Sequence, residues 1–80
     1  MIYTLVWVPE FVDDLKALPT DDATRVANNV MTLARDPRPT AGTVHDLGDD
    51  RYVLKVGDYR VLYDITGLTV RALLVTKRTP

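Results

Sequence analysis

Arg51-Tyr52-Val53-Leu54-Lys55-Val56-Gly57-Asp58-Tyr59-Arg60-Val61-Leu62-Tyr63-Asp64-Ile65 is the stretch whose reading decides the fold. Tyr52, Leu54 and Val56 alternate with Arg51, Val53 and Lys55, and Tyr59, Val61, Tyr63 and Ile65 alternate with Arg60, Leu62 and Asp64. A period of two is that of a strand with one buried and one solvated face. Only Gly57-Asp58 separates the runs, and two residues led by a glycine between alternating apolar runs signal a tight II′ or I′ hairpin. Thr66-Gly67 reads as a second tight turn, into a strand from about Leu68 to Thr76. The last third of the chain is therefore a meander.

Upstream the period changes. Ile2 to Val8 is rich in β-branched and aromatic residues and ends at Pro9, which predicts a strand with Tyr3, Leu5 and Trp7 on one face. From Glu10 to Leu18, Phe11, Leu15 and Leu18 fall at helical spacing while Asp13, Asp14 and Lys16 face away, a short amphipathic helix closed by Pro19. Thr20 is the expected N-cap of a second helix, with Asp21 and Asp22 in its first turn. Val26, Ala27, Val30, Met31 and Ala34 carry that helix to about Arg35. Residues 36 to 42 hold two prolines and a glycine and read as a loop, and residues 43 to 47 as an additional short strand. The expected order is β-α-α-(β)-β-β-β. This is an α+β domain with two N-terminal helices packed on one face of a small antiparallel sheet.

Eighty residues, 46% of them apolar, make one domain spanning 1–80 with an adequate core. The absence of cysteine excludes disulfides, a thiol nucleophile and thiolate metal sites, and the single histidine, His45, excludes a histidine-rich one. No metal and no cofactor are expected. The apolar run at Ile2–Val8 has no basic residue before it and is too short for a signal sequence, so the expectation is a soluble, cytoplasmic protein with no membrane partner.

The net charge of −1 speaks at first against a nucleic-acid partner. Residues 1–50, however, hold four cations against nine anions, a balance of −5, and residues 51–80 hold six cations against two anions, a balance of +4. The strand cations occupy positions opposite to the Tyr/Leu/Val set, on the sheet face that the helices leave open. Such a face binds a polyanion; equally, a solvated antiparallel face often carries charge that guards against aggregation. Pattern alone leaves both readings open.

The chain resembles the RelE/ParE superfamily of bacterial toxin–antitoxin toxins. The likeness is carried by Pro9-Glu10-Phe11, by the Leu15 to Pro19 segment, by Asp36-Pro37-Arg38, and above all by the run from Asp46 to Tyr63, in which Val56-Gly57-Asp58-Tyr59-Arg60 matches the family's hairpin. The resemblance implies a RelE-like, microbial-ribonuclease-type fold. For the RelE branch it also implies an endoribonuclease, an mRNA interferase that cuts messenger RNA in the ribosomal A site and so inhibits translation. The RNA 2′-hydroxyl attacks the adjacent phosphate there, which needs proton transfer and cations for the developing charge rather than a metal.

By the same resemblance Lys55, Arg60 and Arg78 are the expected catalytic residues, Lys55 as a base or phosphate contact and the two arginines as bidentate clamps on phosphate oxygens. Arg51, Lys77 and His45 are the expected RNA-binding residues. Strict alternation from Leu74 puts position 78 on the face away from the other cations unless a bulge intervenes. Val53 stands where the RelE branch has a second strand lysine, and no aromatic residue follows Tyr63 in place of that branch's late tyrosine. A ParE-like inhibitor of DNA gyrase and an inert antitoxin-binding module are the alternatives these departures raise. In each case the implied partner is a cognate antitoxin, through whose complex alone DNA would be contacted.

Overall fold

The structure, a computed structural model, describes residues 2–38 and 44–77. Its elements are β1 (Thr4–Trp7), α1 (Pro9–Lys16), α2 (Thr20–Thr32), β2 (Val44–Gly48), β3 (Arg51–Val56), β4 (Tyr59–Thr66) and β5 (Thr69–Lys77). They form one sheet in the order β1-β5-β4-β3-β2. The expected strand over residues 43 to 47 is β2. The expected antiparallel sheet holds for β2 to β5, but β1 runs parallel to β5, so the sheet is mixed. The reason is topological: the chain re-enters the sheet at the far edge, and three reversals return β5 alongside β1 in the same sense.

Turn chemistry sets the meander. Gly57 takes φ +57° while Asp58 stays at negative φ, which is the II′ pattern, and Gly67 opens the β4–β5 turn with φ +58°. That second loop is Gly67-Leu68, closed by the Thr66–Thr69 pair, one residue later than expected. Asp49 and Asp50 both adopt positive φ, the I′ pattern, between β2 and β3.

The helices begin at prolines. Pro9 occupies the first turn of α1, where its missing N–H costs nothing. For α2 the cap is Pro19 rather than Thr20: Pro19 is the extended residue whose carbonyl accepts the Ala23 N–H at 2.9 Å. Thr20 lies inside the helix, and its own carbonyl accepts the Thr24 hydroxyl. After Thr32 the chain tightens into turns rather than continuing to Arg35, with Leu33, Ala34 and Arg35 each donating to the carbonyl three residues back.

The core lies between the helices and one sheet face. Phe11, Val26, Val30 and Leu33 meet Tyr52, Leu54, Val61, Tyr63, Val70 and Ala72, all buried. Trp7 packs edge-on to Phe11 at 5.2 Å between ring centroids, and Tyr52 stacks on Tyr63 at 5.5 Å. The buried Tyr63 hydroxyl donates to the Pro37 carbonyl at 2.6 Å, and burial, its largest influence, pushes that phenol well above its ordinary range. A carboxylate completes the sheet: Asp14 of α1 accepts the Val75 N–H at 3.0 Å, beyond the end of β1.

One irregularity sets which face the end of β5 presents. Leu62 pairs with Leu74 but Tyr63 pairs with Ala72, so Leu73 is an extra, bulged residue. Strict alternation from Val70 and Ala72 would bury Leu74 and Thr76; the bulge instead buries Val75 and turns Thr76 to the side of its partner Arg60.

Candidate functional site

The Gly57-Asp58 turn places Lys55 of β3 directly opposite Arg60 of β4, on the face the helices leave uncovered. His45 of β2 pairs with Val53 and so lies on the same face, one diagonal step from Lys55. His45, Leu47, Val53, Lys55 and Arg60 together line a shallow depression of about 140 Å³. Its lining combines two cations and an imidazole with the apolar Leu47 and Val53. Leu47 is half exposed.

Directly opposed like charges destabilise an antiparallel pair. Nothing offsets that here: the ion pairs among the described residues are Arg25–Asp22, Arg51–Asp49 and Arg71–Asp64, and none involves Lys55 or Arg60. Arg71 shows the contrast. On the same sheet face it donates through two nitrogens to both oxygens of Asp64, and that hydrogen-bonded carboxylate holds its guanidinium above the ordinary range. The Lys55–Arg60 pair therefore presents free positive charge where the neighbouring arginine is already neutralised.

The six residues singled out from the sequence are dispersed. His45, Lys55 and Arg60 converge. Arg51 shares their face but sits at the other end of β3, four residues or about 13 Å from Lys55, 3.9 Å from Asp49. Lys77 pairs with buried Tyr59, so its position belongs to the helix-side register. Arg78 lies outside the described residues.

Charge reasoning points to neither apolar residue of the depression, and Arg38 is tied elsewhere, to the core residue Tyr52. Leu47 and Val53 line the depression, and only the pairing of β2 with β3 brings Leu47 beside the cations. Arg38 donates to the Tyr52 hydroxyl at 3.0 Å and lies 5.7 Å from its ring centroid; that hydrogen bond, opposed in part by burial, raises its guanidinium. Its sequence signal, an arginine between two prolines, gives no hint of this contact. Among the described residues no three His, Asp or Glu side chains converge as a metal site requires, and no helix is long and apolar enough to cross a membrane. What the depression can do is hold a phosphate-sized anion between Lys55 and Arg60, with an imidazole beside it and an apolar surface for an attached planar group.

Residues 5–79 match the family model described as the ParE toxin of the type II toxin–antitoxin system, parDE. No curated protein matches the sequence. Among solved structures, the toxin–antitoxin complex RelBE2 from Mycobacterium tuberculosis is 26% identical, with a TM-score of 0.81 over 98% of this chain and 100% of that one. The archaeal RelE–RelB complex from Pyrococcus horikoshii is 24% identical, with a TM-score of 0.81 over 98% of this chain and 97% of the other. The chromosomal ParDE system of P. aeruginosa is 13% identical, again with a TM-score of 0.81, over 98% of each chain.

Proposed function

This chain belongs to the ParE toxin family of type II toxin–antitoxin systems, within the RelE/ParE superfamily, and we propose that it acts as a metal-independent endoribonuclease on messenger RNA in the ribosomal A site. The observation that carries this reading is the opposed, unneutralised Lys55–Arg60 pair beside His45. A protein gains nothing in stability from such a pair; a phosphodiester bound between the two cations removes the repulsion.

In this reading the RNA 2′-oxygen attacks the adjacent phosphorus and the bond from phosphorus to the 5′-oxygen breaks, leaving a 2′,3′-cyclic phosphate and a 5′-hydroxyl. Arg60 holds two non-bridging oxygens as a fork and Lys55 adds a point charge, both acting most strongly on the charge that grows in the transition state. Arg78 is proposed as a second clamp and Arg51 as a contact to a flanking phosphate, while Lys77, on the other register, is given no part in the step. The solved relatives RelBE2 and RelE–RelB are complexes of toxin with antitoxin. A cognate antitoxin with an acidic segment is proposed to cover the open face in the cytoplasm until it is removed, and any DNA contact is made through that complex.

A gyrase-directed toxin is the second reading, supported by the ParE family model and by apolar Val53 in the lining of the depression. Mapping mRNA ends after expression without antitoxin separates the two. Growth arrest with discrete cuts in translated frames, relieved by Arg60→Ala and by Arg78→Ala, is the expected result. Arrest with intact mRNA and a DNA-damage response assigns gyrase instead, and unimpaired growth assigns an inert antitoxin-binding module.

A further inference from the structure

We infer that His45 is the proton acceptor for the attacking 2′-hydroxyl, an assignment that rests on the endoribonuclease reading above and extends it to the group that moves the proton. The depression is lined by one imidazole, one ammonium, one guanidinium and two aliphatic side chains. A guanidinium does not give up its proton in proteins, so Arg60 is no base there, and Lys55, the expected base or phosphate contact, is assigned in this scheme to the leaving group. Imidazole is the one type in the depression that ordinarily exchanges a proton between pH 5 and 8.

No phenol competes for the role within the described structure. The four tyrosines of the chain are Tyr3, Tyr52, Tyr59 and Tyr63. Tyr52, Tyr59 and Tyr63 are buried in the core on the helix side, and Tyr3 packs against it. The nearest carboxylates are engaged elsewhere: Asp64, on the same face, is held by Arg71. Asp46, next to His45 on β2, pairs with Tyr52 on the opposite register, and its Oδ1 accepts the Gly48 N–H at 2.8 Å. The charged groups on this face of the neighbouring strands are Arg51 and Lys55 on β3, at the two diagonal positions from His45, and Arg60 and Asp64 on β4, of which Asp64 is held by Arg71. β2 is an edge strand, so the imidazole meets the substrate from the open side of the row.

The step balances within these three residues. Neutral His45 takes the proton of the 2′-hydroxyl as the bond from the 2′-oxygen to phosphorus forms. The phosphorus–5′-oxygen bond breaks, and the 5′-oxygen takes a proton from the Lys55 ammonium. Arg60 keeps its charge throughout. Return of one proton from the imidazolium to solvent and uptake of one by Lys55 restore the resting enzyme.

The test is single-turnover cleavage of mRNA in purified ribosome complexes, with the full chain, between pH 5.5 and 8.5. The wild type is expected to show a rate that rises with pH as the base loses its proton. His45→Gln is expected to be slower by about a hundredfold or more and to lose that rise, and added free imidazole is expected to restore part of the rate of His45→Ala. His45 is exposed, so these variants fold; an unchanged circular dichroism spectrum and thermal midpoint check this. Three results overturn the inference while leaving the nuclease in place: His45→Gln with the wild-type rate and profile, His45→Lys with full activity, or a wild-type rate that falls through the same range. Absence of cleavage by the wild type, with gyrase poisoned, overturns the endoribonuclease reading itself and the role of His45 with it.

Discussion

Lys55 and Arg60 are cross-strand partners at the last pair but one before the Gly57-Asp58 turn, two like charges held face to face with no carboxylate among the described residues bridging either. The arrangement is unfavourable in the free protein and favourable around an anion, so stability and toxicity are set against each other at this pair. Lys55→Glu makes the pair complementary and is expected to stabilise the free protein by about 0.2–1 kcal/mol while abolishing toxicity. Urea denaturation and growth after induction read the two effects. A variant that is both less stable and still toxic would contradict the account.

Tyr63 ties the sheet to the chain after α2 through its bond to the Pro37 carbonyl. Tyr63→Phe leaves that carbonyl without its donor and is expected to cost about 1–3 kcal/mol. The phenol is held well above its ordinary range, chiefly by burial. A group whose folded pKa is raised contributes stability that is fully present below its unfolded value and lost as pH climbs toward the folded one. Wild-type stability is therefore expected to fall above about pH 10, the ordinary phenol value, and Tyr63→Phe to fall less steeply in denaturation series at pH 8, 10 and 11.

Asp14 on α1 accepts the Val75 N–H in the part of β5 that β1 is too short to reach. Asp14→Leu leaves a part-buried donor unpaired and is expected to cost about 1–3 kcal/mol, whereas Asp14→Asn, which keeps an acceptor oxygen, is expected to cost less than half as much. Hydrogen exchange at the Val75 amide, faster in the leucine variant only, checks the cause.

Gly57 carries φ +57° beneath the Arg25 side chain, whose Nη2 is 3.4 Å from where a Cβ would stand. That is ordinary contact, so the left-handed backbone sets the cost of Gly57→Ala at about 1–2 kcal/mol. Asn, which tolerates this conformation better, is expected to cost less. Thermal denaturation of the two variants ranks them, and equal losses would mean that contact with Arg25 rather than the backbone decides.

The legible parts of this protein are those governed by near neighbours in the chain. The alternation across Arg51–Ile65, the two glycine-led turns and the proline-bounded helices are local, and they place Lys55 and Arg60 on one face without reference to anything distant. The shift of the α2 cap from Thr20 to Pro19 is local as well; threonine's capping preference competes there with an extended proline whose carbonyl already accepts the first helical N–H.

What only the tertiary structure decides depends on partners far along the chain. The parallel pairing of β1 with β5, the bulge at Leu73, the register of Lys77 opposite Tyr59, and the approach of His45, Leu47 and Val53 to the two cations all arise from strand pairings or packing across the sheet. A period of two says which residues share a face of one strand. It says nothing about which strand lies alongside, or where one extra residue reverses the faces, because those are set by the packing of a whole core rather than by the run of residues within it.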